Sequence, residues 1–231
     1  MKYLPVLCLM LLAGFSNQAQ TYEIGVILGG ANYIGDVGRT NYIYPNHFMG
    51  GGILKWNRSR RHSYRASLIM GMIQSSDKDS GNSRREQRGY SFNNSVREVA
   101  LGIEYTFWEF NVHSGETIST PYLYTGLTLF NYNKLYRKED QRKMSSYGDG
   151  FSFAIPMAIG YKMKIGHHFV VGAEIGARYT FTDNLDGSKP NNPDVDNDAI
   201  KFGNLNNNDW YVFSGLTFTV AFGRKPCNTC F

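Results

Sequence analysis

The sequence predicts an all-β chain: an eight-stranded antiparallel transmembrane β-barrel of the outer-membrane type, with short periplasmic turns and longer extracellular loops. Three observations predict it. Apolar and polar residues alternate with period 2 in recurring segments. The connections between those segments alternate short and long. The composition is rich in Gly (25), Tyr (16) and Phe (15) and lacks long stretches of Ala, Leu, Glu and Lys, which favours strands and turns over helices.

A leader precedes the strands. Lys2 supplies a positive start, Leu4 to Leu12 an apolar run, and Asn17-Gln18-Ala19 a small-residue cleavage site. Residues 1–19 read as a cleaved signal peptide, with Cys8 inside the apolar run and so not a lipoprotein cysteine. Residues 20–222 read as the barrel and 223–231 as a periplasmic tail. After Gln20 no run of apolar residues is long enough for a transmembrane helix.

The strands follow in order. Tyr22, Ile24, Val26 and Leu28 alternate with Glu23, Gly25 and Gly29. Phe48 to Trp56 is the weakest, interrupted by Gly50, Gly51 and Gly52. Tyr64, Ala66, Leu68, Met70 and Met72 alternate with Arg65 and Ser67. Val99, Leu101, Ile103, Tyr105 and Phe107 oppose Glu98, Gly102 and Glu104, the cleanest early case. Leu123, Leu127 and Leu129 oppose Tyr122, Tyr124 and Gly126. Phe151 to Met163 keeps the period, with Pro156 predicting a local bulge because it cannot donate to a ladder. Phe169 to Phe181 places Gly172, Glu174, Gly176 and Arg178 on one face. Trp210, Val212, Leu216, Phe218, Val220 and Phe222 close the series.

Short connections are expected at 57–61, 109–119 and 164–167, and longer ones at 34–44, 76–93, 134–150 and 182–208. This strict alternation puts both termini at the short-turn, periplasmic end of an outer-membrane barrel. A secreted soluble sandwich or lipocalin-like barrel is the competing fold. It would turn the apolar faces inward, and aromatic residues at the strand ends argue for membrane girdles instead. The lipid of the outer membrane is then one partner. The lumen of eight strands is only wide enough for side chains. Arg65, Glu98, Glu104, Lys162, Glu174 and Arg178 are expected to point into it, pair, and plug it against diffusion.

Several functions are disfavoured. The formal charge is +5, reduced by one when Lys2 leaves, and the basic residues lie in loops rather than along an aromatic-studded stripe, so nucleic acid is not expected as a partner. No nucleophile has an evident base beside it, so no enzyme and no cofactor are expected. Asp194-Val195-Asp196-Asn197-Asp198 has the alternating carboxylates of a calcium loop but lacks its glycine and later Glu, and reads as a solvated acidic loop. Cys227 and Cys230, alone after cleavage, suit a local disulfide or a partner contact. Two thiolates cannot complete a zinc site.

Several ordered segments carry a family resemblance. They are Tyr22-Glu23-Ile24-Gly25-Val26 with Tyr33-Ile34-Gly35-Asp36, Asp77-Lys78-Asp79-Ser80, Arg88-Gly89-Tyr90-Ser91-Phe92, Glu104-Tyr105-Thr106-Phe107-Trp108, Thr120 to Leu127, and Phe181-Thr182-Asp183-Asn184-Leu185-Asp186. Together they resemble the PorG family, outer-membrane barrels of the Bacteroidetes type IX secretion system. Gly187-Ser188-Lys189-Pro190 departs from the acidic and hydroxyl run expected there. The resemblance implies a non-catalytic part of a protein-export and gliding-associated machine. It also implies contact with a periplasmic ring made of a lipoprotein and its partner. A basic edge formed by Arg58, Arg60, Arg61, His62, Lys164, His167, His168, Arg224 and Lys225 is the candidate docking rim, anionic lipid headgroups being the alternative use of the same charges. The competing function is a generic porin-like or adhesin barrel acting through its extracellular loops.

Overall fold

A computed structural model describes residues 21–114, 116–204 and 206–223. The expected leader and most of the tail, including Arg224, Lys225, Cys227 and Cys230, lie outside the described residues.

Eight strands close into one barrel in sequence order. They are β1 (Thr21–Ile34), β2 (His47–Asn57), β3 (His62–Ser76), β4 (Ser91–Thr106), β5 (Ser119–Tyr136), β6 (Ser145–Ile165), β7 (Phe169–Thr180) and β8 (Trp210–Gly223). Every neighbouring pair is antiparallel, and β1 seals against β8 from Thr21↔Gly223 to Ile34↔Trp210. Closure leaves no sheet edge, which is what lets strands sit in hydrocarbon without orphan backbone groups.

The apolar faces point outward. Val26, Leu101, Leu127, Ile159 and Phe218 are all exposed, while the residues alternating with them are mostly buried inside. Outward aromatics gather at the two ends of this belt. Tyr22 stacks on Phe222 and Trp56 lies against Tyr64 near the chain termini, with Phe48, Phe151 and Phe181 exposed at the other end. Along β6 from Phe151 to Tyr161 the strand rises about 33 Å. At the usual barrel tilt that spans roughly the 25 Å of an outer-membrane apolar band. The fold is that of a membrane barrel, not of a sandwich with an inward core.

The weakest expected segment, Phe48 to Trp56, is a strand as expected, and Gly51 faces inward there, where a Cβ would stand 1.8 Å from the Leu68 carbonyl oxygen. Two details differ from the sequence expectation. No register shift occurs at Pro156, which pairs with Arg178 on β7. The shift lies instead at Lys134/Leu135, where Lys134↔Gly148 is followed by Leu135↔Ser146 and Tyr147 is the extra residue. The length alternation is also not strict: β5 and β6 stay paired past their last partners on β4 and β7 as a hairpin, leaving only 137–144 as their loop, shorter than the 107–118 connection at the opposite end. Buried Leu135 and Met144 explain the extension, since they pack into the core over the barrel mouth.

Candidate functional site

The barrel offers three places where function could sit: its interior, the end where Thr21 and Gly223 meet (the terminal end), and the end that carries the long loops.

The interior near the termini is a lattice of ion pairs. Glu104 holds Lys162 Nζ at 2.6 Å and Lys55 Nζ at 2.8 Å. Arg65 forks onto both oxygens of Glu174 at 2.6 and 3.0 Å, and the Tyr122 hydroxyl donates to the same carboxylate. Arg178 reaches Glu98 at 3.1 Å, and Tyr211 donates to Glu98 as well. All of these side chains are buried. Such pairs tolerate burial because each charge is met by opposite charge and hydrogen bonds. Room for them comes from inward glycines: a Cβ on Gly126 would sit 2.1 Å from the Leu101 oxygen, and one on Gly160 2.4 Å from the Tyr122 ring.

The six charges expected in the lumen all lie in this lattice. Lys55 and Glu23 join them, Glu23 accepting from Asn57 and Thr219. Sequence reasoning passed over Lys55 because it sits on the least regular strand, although its alternation with Leu54 and Trp56 carried the signal.

Toward the long loops the interior turns apolar. Ile27, Ile69, Ile73, Phe92, Val96, Phe130 and Phe213 form one buried cluster that Leu185 of the last loop enters. The lumen is therefore only partly charge-filled, a correction to the sequence expectation. Among the described residues, apolar side chains pack at both ends of the interior, around Leu185 at one and around Phe110 and Val112 at the other.

The terminal end is plugged by 107–118. Phe110 and Val112 pack on Val170 and Ala221, the Lys162 ammonium lies 4.6 Å from the Phe110 ring, and Phe110 N donates to Arg60 O at 2.9 Å. Lys164 donates to Ser114 O and is fully buried. Lys164 therefore leaves the expected docking rim: period 2 points it inward, beside Lys162. Arg58, Arg60, Arg61, His62, His167 and His168 are exposed at this end. Arg60 pairs with Glu109 at 3.0 Å, both more than half exposed, so this pair adds little stability. His62 shares a 3.2 Å hydrogen bond with Ser59, but the Ser59 hydroxyl also accepts from the Arg61 and His62 amides. That is the geometry of a turn lock.

The long loops interlock as a cap. Helix α1 (Ser83–Arg88) is capped by Asn82, whose side chain accepts from the Arg84 and Arg85 amides. It presents Arg88 to both oxygens of buried Asp77 at 2.7 and 3.0 Å and to Asp36 O at 2.6 Å. The Arg88 guanidinium lies 4.9 and 5.1 Å from the Tyr90 and Phe202 rings, which meet each other edge-on at 5.0 Å. In the last loop, Leu185 N donates to Asp209 Oδ2 at 2.9 Å, and Asn94 Nδ2 donates to Leu185 O at 2.8 Å. Tyr33 donates to Asp209 and Ser188 N to Asp186. Burial pushes the Asp186 carboxyl up; burial and then the neighbouring Asp186 push Asp209 well up, and the same two causes lift Asp183 to about 6. The acidic run resembling a calcium loop is a capped turn: Asp196 accepts from Asp198 N at the start of helix α2 (Asn197–Ile200), and Asp198 pairs with Lys201 at 2.6 Å.

The solved structures to which the chain is similar include the N-terminal β-barrel domain of Pseudomonas aeruginosa OprF, with 13% identity, TM-score 0.46, and 89% of this chain and 98% of that one covered. Pseudomonas aeruginosa OprG is similar at 10% identity and TM-score 0.46, with 90% and 99% covered. Ail, the attachment invasion locus protein of Yersinia pestis, is similar at 8% identity and TM-score 0.46, with 89% and 99% covered. A comparison with curated proteins finds no match. The family described as a domain of unknown function, DUF6089, matches residues 1–231, and the chain belongs to that family.

Proposed function

We propose that the chain is a non-catalytic barrel of the bacterial outer membrane that serves a protein-export machine, acting through its two ends rather than through its lumen. The observation that carries the anchor part of this reading is the filled interior: Glu104, Glu174 and Glu98 paired with Lys55, Lys162, Arg65 and Arg178, and an apolar cluster above them. A barrel built this way has an apolar belt for lipid and no path for solutes. The ordered segments that resemble the PorG family supply the machine: a type IX secretion apparatus with a periplasmic ring. In this reading the terminal end faces the periplasm and its exposed basic residues, Arg58, Arg60, Arg61, His62, His167 and His168, meet the ring.

Deletion of the gene and measurement of the export of cargo bearing a C-terminal sorting domain tests the machine: export fails if the reading holds, and normal export overturns it. Arg60→Glu with Arg61→Glu tests the rim, since unchanged co-purification of the ring would contradict docking there. A second reading, an adhesin-like barrel acting through its loops, is favoured by the clefts between the long loops.

A further inference from the structure

Two clefts open between the long loops. One, of about 610 Å³, is lined by Tyr42, Arg85, Asn207 and Trp210 among others. The other, of about 680 Å³, is lined by Tyr147, Phe181, Asn184 and Asn191 among others. Asp183 and Asn208 line both, so the clefts adjoin as one groove across the loop end. Each volume falls within the range of small-ligand sites.

The chemistry of the lining narrows the ligand. Tyr42 is 78% exposed, offering a free aromatic face, while Trp210 is fixed edge-on to Tyr179 at 4.8 Å. Between these rings stand asparagine amides, each able to donate and accept. Asn184 is 8% exposed; its Nδ2 donates to the Tyr147 hydroxyl at 3.4 Å while Oδ1 has no hydrogen-bond partner. Of the four cations lining the clefts, three are engaged within the protein, and Lys134 is not ion-paired among the described residues. Lys189 lies 3.7 Å from Asp183, Lys201 pairs with Asp198, and Arg85 donates to the Gly35 and Gly38 carbonyls. An anionic ligand would find one uncommitted cation, Lys134, beside the Asp183 carboxylate, and an acyl chain would find the apolar patch of Ile34, Ala177 and Val212 broken by Asp36, Thr40 and the asparagines. Aromatic faces beside paired donors and acceptors suit a ring with apolar C–H faces and a rim of hydroxyls.

We propose that this groove binds a neutral oligosaccharide, the sugar faces stacking on Tyr42 and Trp210 and the hydroxyls bonding to Asn184, Asn207 and Asn208. The proposal does not rest on the export reading.

The test uses the full chain purified in detergent and calorimetric titration with maltotriose, cellotriose, chitotriose and mannotriose. A parallel arm uses the delipidated polysaccharide of lipopolysaccharide. Binding of any of these is expected, and Tyr42→Ala with Asn207→Ala, both at exposed positions, weakens it by about tenfold or more through loss of a stacking face and a hydrogen bond. Binding of the polysaccharide would identify a membrane glycan as the source, and binding of trisaccharides alone a glycan from elsewhere. Either outcome supports the groove. Failure of every probe, or an affinity unchanged in the double variant, overturns it. Binding of a sulfated polyanion such as heparin without any neutral sugar overturns it too.

Discussion

The interior of the barrel changes character along its axis. Near the termini Glu104 gathers Lys55 and Lys162, and Glu174 takes the fork of Arg65. Near the long loops Ile69, Ile73, Phe92 and Phe213 meet around Leu185. Both regions fill a lumen of the same width, yet they respond to damage differently. An ion-pair lattice is stable only while every charge keeps its partner. An apolar cluster loses stability in proportion to what is removed. The Glu98–Arg178 pair stands where the two regimes meet, with the Arg178 guanidinium 5.5 Å from the Phe213 ring.

The largest expected effect breaks the charged region. Glu104→Ala strands the buried Lys55 and Lys162 and costs about 3–5 kcal/mol, measured by denaturant unfolding in lipid vesicles. The comparison sharpens with Glu174: Glu174→Leu alone is costly for the same reason, whereas Glu174→Leu combined with Arg65→Leu recovers much of the loss. A double variant as unstable as the sum of its singles would refute the lattice. In the apolar region Phe92→Ala costs about 3 kcal/mol by leaving a cavity, and no second replacement restores it.

The long-loop cap has its own pH signature. Asp186 and Asp209 have raised folded-state values, and Asp183 rises to about 6, while unfolded aspartate sits near 3.9. The folded cap therefore binds protons more tightly than the unfolded loop, and its stability increases as pH falls through 6 toward 4. Protease cleavage within 181–209 should slow between pH 7 and pH 5; faster cleavage at pH 5 would contradict the assignment. The smallest effect is local. Arg88→Ala removes the bonds to Asp77 and Asp36, and raises amide exchange across 77–90 by about tenfold or more while leaving the barrel strands protected.

The same contrast explains what could be read in the sequence. On the charged side inward Arg65, Glu104, Lys162 and Glu174 alternate with outward apolar residues, so period 2 announces both the strand and its faces. On the apolar side Leu68-Ile69-Met70 is continuous, since Ile69 faces the core and its neighbours face outward. The alternation vanishes where both environments are apolar, so the inner apolar cluster went unread. Lys164 was legible by parity with Lys162 but was assigned by its nearness to a turn. The cap was hidden for another reason: Asp77–Arg88 and Leu185–Asp209 are contacts made by loops and their one- or two-turn helices, which are too short to carry a readable periodicity. The bulge at Tyr147 likewise depends on where the hairpin folds onto the mouth.

We propose that a barrel whose described interior is filled by ion pairs and an apolar cluster does not conduct ions. Planar-bilayer recording of the purified chain tests it most directly. The account predicts a baseline current without discrete steps across the voltage range. Stable, repeated opening steps from the intact protein would contradict it.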